Sequence, residues 1–383
     1  MRFLFTCGGT AGHINPALGV AQRLMQLHPD SQVLFVGAAG RMEESLVPRE
    51  GFPLETVEIT NISRSLSLDG LRHNLNTVKN VLTATSAAKK IIEEFEPDVA
   101  IGTGGYVCYP VLRAAHAKGI PTLIHESNAE PGLTTKMLSR TADKILVGLE
   151  ESRSLYPKPE RVEVTGTPVR AGFGAANKLQ ARAALGLDGG KSLVVSVWGS
   201  LGSQFMNDTM ADLIEIAAAT EPFSLIHSAG RGGYAAFAKK LAGRGLTDLL
   251  SRGFDVREYI YDMAPVCSAA DIVVCRAGAS TLAELAALGK PAVLIPSPNV
   301  TNNHQEKNAR VFEKAGAAIV IPETAVTASS LLGKIDSLLS KPERLESMGR
   351  QMKKMGALDA TGNIAETAMK LASRKNHKNG SNA

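Results

Sequence analysis

The sequence predicts an α/β protein built from two doubly wound parallel sheets, and three observations lead to that fold class. Short apolar or β-branched runs alternate with longer helical patterns, as in successive βαβ units. The alternation runs from Phe3 to Thr165 and starts again after Lys191. The chain has 383 residues, more than the roughly 100–200 of a usual single domain, so each half can form its own core.

Six strands are predicted in each half. Those of the first half are Phe3–Thr6, Gln32–Val36, Val99–Thr103, Thr122–His125, Ile145–Val147 and Val162–Thr165. Those of the second half are Leu193–Val197, Ser224–His227, Val256–Tyr259, Ile272–Cys275, Ala292–Pro296 and Ala318–Ile321. Because helical stretches separate neighbouring runs, the strands of each half are expected to pair in parallel.

The two halves are expected to meet near Pro168. Thr165-Gly166-Thr167-Pro168 ends a strand, and residues 171–191 are rich in glycine and alanine with a weak helical pattern. The polar C-terminal residues lack periodicity. The predicted segments are therefore an N-terminal domain of residues 1–168, a C-terminal domain of 169–345, a helix over about 346–372 that packs back on the first domain, and a disordered tail of 373–383.

Composition and spacing exclude several classes of protein. The net charge is a modest +5 and the basic residues are spread along the chain, which argues against nucleic acid as a partner. The four cysteines lack Cys-x-x-Cys spacing, which indicates free thiols in a reducing cytosol. No signal peptide and no apolar run of about 18 residues is found, so any membrane contact is expected to be peripheral. No cluster has metal-ligand spacing, so no protein-bound metal is expected.

Three glycine-rich turns each stand where a predicted strand runs into a helix. They are Cys7–His13, Gly102–Tyr106 and Trp198–Ser203. The amides and dipole at such a helix start favour an anion, which glycine allows to approach closely. A lone glycine turn is as often only a tight connection, but three at strand ends favour a ligand site. Since ligands of doubly wound sheets bind beyond the carboxyl ends of the strands, we expect a cleft between the domains.

Several motifs follow one another in a fixed order. They are Gly8-Gly9-Thr10-Ala11-Gly12-His13-Ile14-Asn15-Pro16-Ala17, Gly104-Gly105-Tyr106, His125-Glu126-Ser127-Asn128, Gly166-Thr167-Pro168-Val169-Arg170, Cys275-Arg276-Ala277-Gly278-Ala279-Ser280-Thr281-Leu282-Ala283-Glu284 and Asn303-His304-Gln305-Glu306-Lys307-Asn308-Ala309. Over residues 1 to about 370 this order resembles the MurG family of peptidoglycan N-acetylglucosaminyltransferases, in glycosyltransferase family 28. The resemblance implies a GT-B fold of two Rossmann-like domains. It also implies inverting transfer of N-acetylglucosamine (GlcNAc) from UDP-GlcNAc to the 4-hydroxyl of MurNAc in undecaprenyl-diphospho-MurNAc-pentapeptide (lipid I), giving lipid II.

The resemblance further implies the partners and the site residues. UDP-GlcNAc is expected in the C-terminal half and lipid I in the N-terminal half, at the cytoplasmic leaflet of the bacterial membrane. Cell-wall synthesis and division proteins are further partners, and no cofactor is implied, although a divalent cation can accompany the diphosphate. The implied donor-binding residues are Thr10, Gly12, Asn128, Arg170, Ser200, Ile260, Ser280, Thr281, Glu284, His304 and Gln305. The acceptor-side loops are Gly9, Thr10 and Ala11 with Gly104, Gly105 and Tyr106.

Residue chemistry suggests separate roles within this set. His13 is the candidate catalytic base, because imidazoles titrate near neutral pH, and its alternative role as a phosphate ligand stays open. An arginine such as Arg170 can fork onto a phosphate. By resemblance, Thr281 faces the diphosphate and Glu284 accepts from the ribose, although the two also have the spacing of a helix capping box. Gln305 and His304 are assigned to the donor sugar, and Ile260 to the uracil.

A helical stripe is the candidate membrane contact. Its members are apolar residues with basic neighbours, namely Leu71, Leu75, Val78, Leu82, Arg72 and Lys79. An equal alternative is that the stripe faces the core of the first domain.

The family pattern is not matched at every position. Ala11 stands where glycine is usual, Trp198 and Leu201 depart from a Gly-Gly-Ser-Gln-Gly loop, and His304 replaces a glutamine of some members. Two rival functions stay open, a UDP-GlcNAc 2-epimerase and an inactive GT-B scaffold.

Overall fold

The computed structural model describes most of the chain, which folds into two compact units. The described residues are 1–59, 68–170, 172–173, 177–187, 190–199, 201–357 and 359–380, with backbone alone for 68–79 and 375–380. The first unit comprises Met1–Val169 with Asp359–Ala383, and the second comprises Arg170–Leu358.

The elements of the described residues alternate between strands and helices in most of the chain. The strands are β1 (Arg2–Thr6), β2 (Gln32–Ala38), β3 (Leu54–Val57), β4 (Val99–Gly102), β5 (Thr122–Glu126), β6 (Lys144–Val147), β7 (Val162–Val164), β8 (Leu193–Val197), β9 (Ser224–Ser228), β10 (Phe254–Arg257), β11 (Ile272–Cys275), β12 (Ala292–Leu294) and β13 (Ala318–Val320). The α-helices are α1 (Ala11–Leu27), α2 (Glu43–Arg49), α3 (Leu68–Phe95), α4 (Cys108–Ala117), α5 (Leu133–Leu138), α6 (Lys178–Ala184), α7 (Gln204–Ala218), α8 (Tyr234–Gly243), α9 (Met263–Ala269), α10 (Ala279–Leu288), α11 (His304–Lys314), α12 (Ala328–Leu339), α13 (Pro342–Lys354) and α14 (Ala360–Gly380).

The first unit contains a seven-stranded parallel sheet in the order β3-β2-β1-β4-β5-β6-β7. Successive residues of its strands join opposite faces, so Leu4 belongs to one core, and Phe3 and Phe5 belong to the other. The first core is closed by α3, α4 and α5, and the second by α1 and α14. Because helices cover both faces, the central strands are mostly apolar, which is why the sequence pattern reveals them.

The second unit contains a six-stranded parallel sheet in the order β10-β9-β8-β11-β12-β13. One face packs against α7, α8, α12 and α13 through residues such as Val194, Met210, Leu331 and Met348. The two predicted doubly wound sheets are therefore present, and all twelve predicted strands are found.

Three details differ from the expectations. The strand β3 was not predicted, because Glu55 and Thr56 are exposed and make its short run half polar. The helix α13 belongs to the second unit, where it packs against α10 and α12, so only the chain from Asp359 returns to the first unit. Residues 373–380 continue α14 instead of forming a tail without regular structure. No glycine or proline interrupts this stretch of the helix before Gly380.

The described residues contain neither a membrane-spanning helix nor a cluster of metal-ligating side chains. None of the helices there is long and apolar enough to cross a membrane. No group of three or more His, Cys, Asp or Glu side chains in the same part of the chain is placed to hold a metal ion.

Candidate active site

The strand order of the first unit reverses between β1 and β4, and the loops that follow these two strands carry predicted site residues. Ligands of doubly wound sheets bind at such a switch point, beyond the carboxyl ends of the strands. The loop after β1 and the first turn of α1 hold Gly8–His13, and the loop after β4 holds Thr103–Tyr106. Two hydrogen bonds join these segments. The Gly8 N–H donates to the Gly104 carbonyl (3.1 Å), and the Thr103 side-chain hydroxyl donates to the His13 carbonyl (2.7 Å).

His13 lies in the first turn of α1 and is half-buried. Its Nδ1 is 2.9 Å from the Gly8 carbonyl oxygen. Since a carbonyl oxygen can only accept, Nδ1 carries the proton and donates it, and Nε2 is the unprotonated, basic nitrogen of the neutral ring. The tautomer therefore presents Nε2 as a proton acceptor.

The glycines after β4 are required by close contacts with the loop after β1. A Cβ added to Gly104 would lie 2.6 Å from His13 Cδ2, and one added to Gly105 would collide with the Gly8 carbonyl. Both residues also have positive φ angles, 118° and 94°. The two loops therefore form one packed group around His13.

Two amides of the acceptor-side loop precede the start of α1 and already have acceptors. The Gly8 N–H donates to the Gly104 carbonyl, and the Gly9 N–H donates to Glu43 Oε1 (3.3 Å). These two amides are engaged inside the unit because the loop is anchored to its neighbours. Ala11 is the first residue of α1 and has no positive φ, so the loss of a family glycine there imposes no backbone strain.

Asn128 follows β5 and is oriented by a buried carboxylate that the sequence analysis did not single out. Glu126 Oε1 accepts from the Asn128 backbone N–H (3.1 Å) and from its side-chain Nδ2 (2.9 Å). The other oxygen, Oε2, accepts from the Gly132 N–H (3.0 Å) and the Thr135 hydroxyl (2.8 Å). The signal that could have found Glu126 is a charged residue at the end of a fully buried strand, where a carboxylate needs several hydrogen-bond donors.

The second unit has its own switch point, between β8 and β11. The loop after β8 runs from Trp198 to Ser203, and the side chain of Ser203 caps α7. Trp198 is buried, and the guanidinium of Arg276 lies 5.7 Å from the centre of its ring. Arg276 also donates to Ser203 Oγ (2.9 Å) and pairs with Glu323. Trp198, which departs from the family pattern, thus takes part in fixing this loop, while Leu201 is exposed.

The helix α10 follows β11 and begins without a side-chain cap. Its N-cap is Gly278, and its first turn contains no acidic residue. The Ser280 hydroxyl is buried and has no hydrogen-bond partner among the described residues. The capping box that Thr281 and Glu284 could have formed is not present. That box requires Thr281 to be the N-cap, whereas Thr281 already lies inside the helix.

Glu284 pairs with Arg170 instead. The Arg170 Nε donates to Oε1 (2.5 Å) and Nη2 donates to Oε2 (3.0 Å), which is a bidentate arrangement. The hydrogen bond to Glu284 raises the pKa of Arg170 above its ordinary value. Within this unit the structure therefore brings together two residues that the sequence assigned to the donor separately.

The remaining donor residues are placed near the end of β12 and after β10. Gln305 Oε1 accepts from the Ser297 N–H (2.9 Å), and the His304 Nδ1 donates to the Thr301 carbonyl (2.8 Å). The preceding Asn302 and Asn303 both have positive φ (57° and 51°), a left-handed conformation that asparagine adopts more readily than most other residues with a side chain. Ile260 is buried, so little of its side chain is available to a base.

Some predicted residues lie outside the described part. They are Ser200 of the loop after β8 and the side chains of Leu71, Arg72, Leu75, Val78 and Lys79 in α3. Leu82, the remaining member of the membrane stripe, is 69% exposed, so it does not face the core.

Two family models match the two halves of the chain. The Glycosyltransferase family 28 N-terminal domain matches residues 3–147, and the Glycosyltransferase family 28 C-terminal domain matches residues 193–364. A curated relative from Caldanaerobacter subterraneus subsp. tengcongensis is 44% identical over 364 residues, which cover 95% of this chain and 98% of the relative. That relative is named UDP-N-acetylglucosamine--N-acetylmuramyl-(pentapeptide) pyrophosphoryl-undecaprenol N-acetylglucosamine transferase.

Solved structures match over the same length. MurG of Acinetobacter baumannii has a TM-score of 0.77 at 27% identity, covering 96% of this chain and 99% of that chain. A UDP-GlcNAc 2-epimerase from Neisseria meningitidis, bound to UDP-GlcNAc, has a TM-score of 0.61 at 18% identity, covering 97% of this chain and 100% of that chain. The second likeness shows the fold alone. Together with the two parallel sheets, these neighbours confirm the predicted GT-B fold class.

Proposed function

The chain belongs to the MurG family of glycosyltransferase family 28, and from that membership we propose how its residues divide the work of the transfer. The reaction moves GlcNAc from UDP-GlcNAc to lipid I and yields lipid II for peptidoglycan synthesis. The single structural observation that carries the residue assignment is the 2.9 Å contact between His13 Nδ1 and the Gly8 carbonyl oxygen at a sheet switch point, from which we infer that Nε2 is the basic nitrogen of the neutral ring.

In this proposal His13 is the catalytic base rather than a phosphate ligand. The 4-hydroxyl of MurNAc gives its proton to Nε2 while its oxygen forms a bond to the anomeric carbon of GlcNAc. The bond from that carbon to the diphosphate breaks on the opposite side, and its electron pair leaves with UDP. Attack opposite the leaving group inverts the anomeric centre. A phosphate next to the Gly8 and Gly9 amides, which the alternative role of His13 would require, is disfavoured because both amides already have acceptors.

The uncapped start of α10 serves the diphosphate of the donor. Its free amides and helix dipole favour negative charge, and the buried Ser280 hydroxyl lacks the partner that a phosphate oxygen would supply. Thr281 stands in the same turn. These groups stabilise the charge that develops on the leaving UDP.

Glu284 and Arg170 act together on the donor. A carboxylate has about four lone-pair positions, and Arg170 occupies one on each oxygen, so acceptor positions remain for the ribose hydroxyls. Arg170 in turn uses two of its five N–H groups, which leaves others for a phosphate. Gln305 and His304 complete the sugar side, Asn128 is assigned a sugar hydroxyl, and the main chain at Ile260, rather than its buried side chain, binds the uracil.

The same proposal places the enzyme peripherally on the cytoplasmic face of the bacterial membrane, where its lipid acceptor is anchored. The exposed Leu82 on α3 supports a membrane contact along that helix. Association with cell-wall synthesis and division proteins is part of the same proposal.

The test is a transfer assay with labelled UDP-GlcNAc and a lipid I analogue. We expect a labelled disaccharide-lipid product, a loss of about 100- to 10,000-fold in kcat for His13→Ala, and a rise of about 10-fold in the KM for UDP-GlcNAc for Glu284→Gln. Conversion of UDP-GlcNAc to its 2-epimer without lipid product would support the epimerase instead. Absence of any turnover would support the inactive scaffold, and unchanged kinetics of both variants would refute the residue assignment.

A further inference from the structure

Glu43, the first residue of α2, is a fully buried carboxylate that is not among the residues assigned to the reaction. Glutamate is almost never fully buried unless it is paired. The next residue, Glu44, is exposed and accepts from the Gly40 N–H (2.9 Å) at the surface of the same helix. The two neighbouring glutamates therefore have opposite environments.

The structure around Glu43 is shaped to admit its side chain. Oε1 accepts from the Gly9 N–H (3.3 Å) and the Ala38 N–H (3.4 Å). A Cβ on Gly8 would collide with Oε1, and one on Gly37 would lie 2.9 Å from the Glu43 Cβ. Two glycines, one in the loop after β1 and one on β2, thus leave the space that Glu43 fills.

A single peptide group joins Glu43 to His13. The peptide between Gly8 and Gly9 donates its N–H to Glu43 Oε1, and its carbonyl accepts from the His13 Nδ1–H. A trans peptide is rigid and planar, so fixing its N–H also fixes the direction of its carbonyl. The carbonyl in turn selects the tautomer of the ring and its orientation.

The second carboxylate oxygen indicates that Glu43 has a role besides stabilising the fold. Oε2 is buried and has no hydrogen-bond partner among the described residues. A buried oxygen without a partner lowers the stability of the fold, and only Oε1 binds the Gly9 and Ala38 amides, so stability alone does not account for Oε2.

We propose that Glu43 is a positioning residue for the base His13, acting through the Gly8–Gly9 peptide group. Glu43, this peptide and the imidazole form a hydrogen-bonded chain, which we call the Glu43–peptide–His13 chain. It holds Nε2 as the proton acceptor, and hydrogen bonds in series strengthen one another. Glu43 neither touches the substrate nor takes the proton. This inference rests on the proposed role of His13 as the base.

The test compares two substitutions of similar size in the full-length protein. Glu43→Met keeps the volume but removes the acceptor, so we expect kcat to fall by about 10- to 100-fold because the base is misplaced. Glu43→Gln keeps a neutral acceptor, which is weaker than a carboxylate, so we expect a loss of only about 3- to 10-fold. The KM for UDP-GlcNAc is expected to stay unchanged in both. Glu44→Met is the matched control on the solvent side and is expected to behave as wild type.

Two further readouts separate positioning from a general loss of structure. The ¹⁵N spectrum of the histidine rings, with His13 assigned by its absence in His13→Ala, should show the Nδ1–H tautomer in the wild type and a mixture in Glu43→Met. In a His13→Ala background, Glu43→Met should cause no additional loss of kcat. If Glu43→Met does not fold, Glu43→Gln decides by its kcat.

The outcomes distinguish the two proposals. Full activity of His13→Ala would refute the assignment of the base itself. If His13→Ala is inactive while either variant of Glu43 keeps the wild-type kcat and ring tautomer, the Glu43–peptide–His13 chain is refuted and the base is not. An equal loss from Glu43→Met with and without His13 would also refute the chain.

Discussion

At the scale of single residues, the loop after β4 depends on glycine for two separate reasons. Gly104 has a φ of 118°, a backbone conformation that side chains with a Cβ rarely adopt. It also leaves the space that the His13 ring occupies, since a Cβ there would lie 2.6 Å from Cδ2. The conformation and the contact can be separated experimentally, because other glycines share the first property without the second.

We predict that Gly104→Ala lowers kcat by about 100-fold, because the added methyl group displaces the His13 ring from its place. The KM for UDP-GlcNAc should not change, because the atoms nearest to the added methyl group all belong to His13, which is proposed to act on the acceptor hydroxyl. Steady-state kinetics of the purified variant measure both quantities. Gly119→Ala is the matched control, since Gly119 also has a positive φ (71°) but no atom lies within 4 Å of the added Cβ. Equal losses in the two variants would contradict the steric explanation.

Glu43 marks the limit of prediction at this scale. The glycine loops and His13 are recognisable because they are contiguous in the chain, at the ends of strands. Glu43 reaches Gly9 across 34 positions of sequence, and nothing in Met42-Glu43-Glu44 indicates which glutamate points inward. The pairing of Arg170 with Glu284 spans 114 positions and is hidden for the same reason.

At the scale of elements, the sequence pattern predicts best the strands that are buried on both faces. Every residue of β8, Leu193–Val197, is buried, and its run of apolar and β-branched side chains is correspondingly easy to recognise. The edge strand β3 escapes prediction because only Val57 of its four residues is buried. The start of a helix is also hard to predict. The helix α10 begins after Gly278, where the preceding loop ends, and not at the capping-box residue Thr281.

A buried histidine in β9 links element packing to pH. His227 Nδ1 lies 3.1 Å from Ser196 Oγ on β8, and its ring is 4.8 Å from that of Phe237 on α8. Burial lowers the pKa of His227 to about 3. Between this value and the ordinary pKa of about 6.5, the unfolded chain binds a proton that the folded chain does not. Stability therefore rises with pH through this window, is fully present above it, and is lost on acidification.

We predict that the second unit loses about 1.4 kcal/mol per pH unit below about pH 6.5 through His227, and that His227→Gln removes this dependence. Urea unfolding followed by tryptophan fluorescence measures it, because Trp198 is the only tryptophan of the chain and lies in the second unit. Ser196→Ala is the control, since it removes the hydroxyl contact but keeps the titrating ring. The prediction fails if His227→Gln and the wild type lose stability in parallel as the pH falls from about 7 to about 5.

At the scale of the whole molecule, the sequence predicts two domains and a C-terminal return to the first. The boundary after Val169 lies one residue from the predicted Pro168, because the motif that ends β7 also ends the unit. The return starts at Asp359 rather than near 346. Helices α13 and α14 are both amphipathic, and their sequences do not say which core each one completes, since that is decided by packing. Met348 of α13 is buried in the second unit, whereas Ile364 and Leu371 of α14 join the first.

The first unit is therefore discontinuous in sequence, and its stability should depend on the last helix. Apolar residues of α14 pack in the same core as α1, namely Ile364, Ala365, Ala368, Leu371 and Ala372. We predict that removing residues 359–383 destabilises the first unit by about 3 kcal/mol or more, because the exposed faces of α1 and its sheet lose this cover. The second unit should keep its stability.

Urea unfolding with two probes measures this difference, since far-UV circular dichroism reports both units and Trp198 fluorescence reports only the second. The truncated chain should show an early circular dichroism transition while the fluorescence midpoint stays at the wild-type urea concentration. Removing only residues 375–383 is the matched control, because the buried residues of α14 end at Ala372 within its described side chains. If the fluorescence midpoint falls together with the early transition, the second unit also depends on α14. If the circular dichroism curve is like that of the wild type, α14 contributes little to the stability of the first unit.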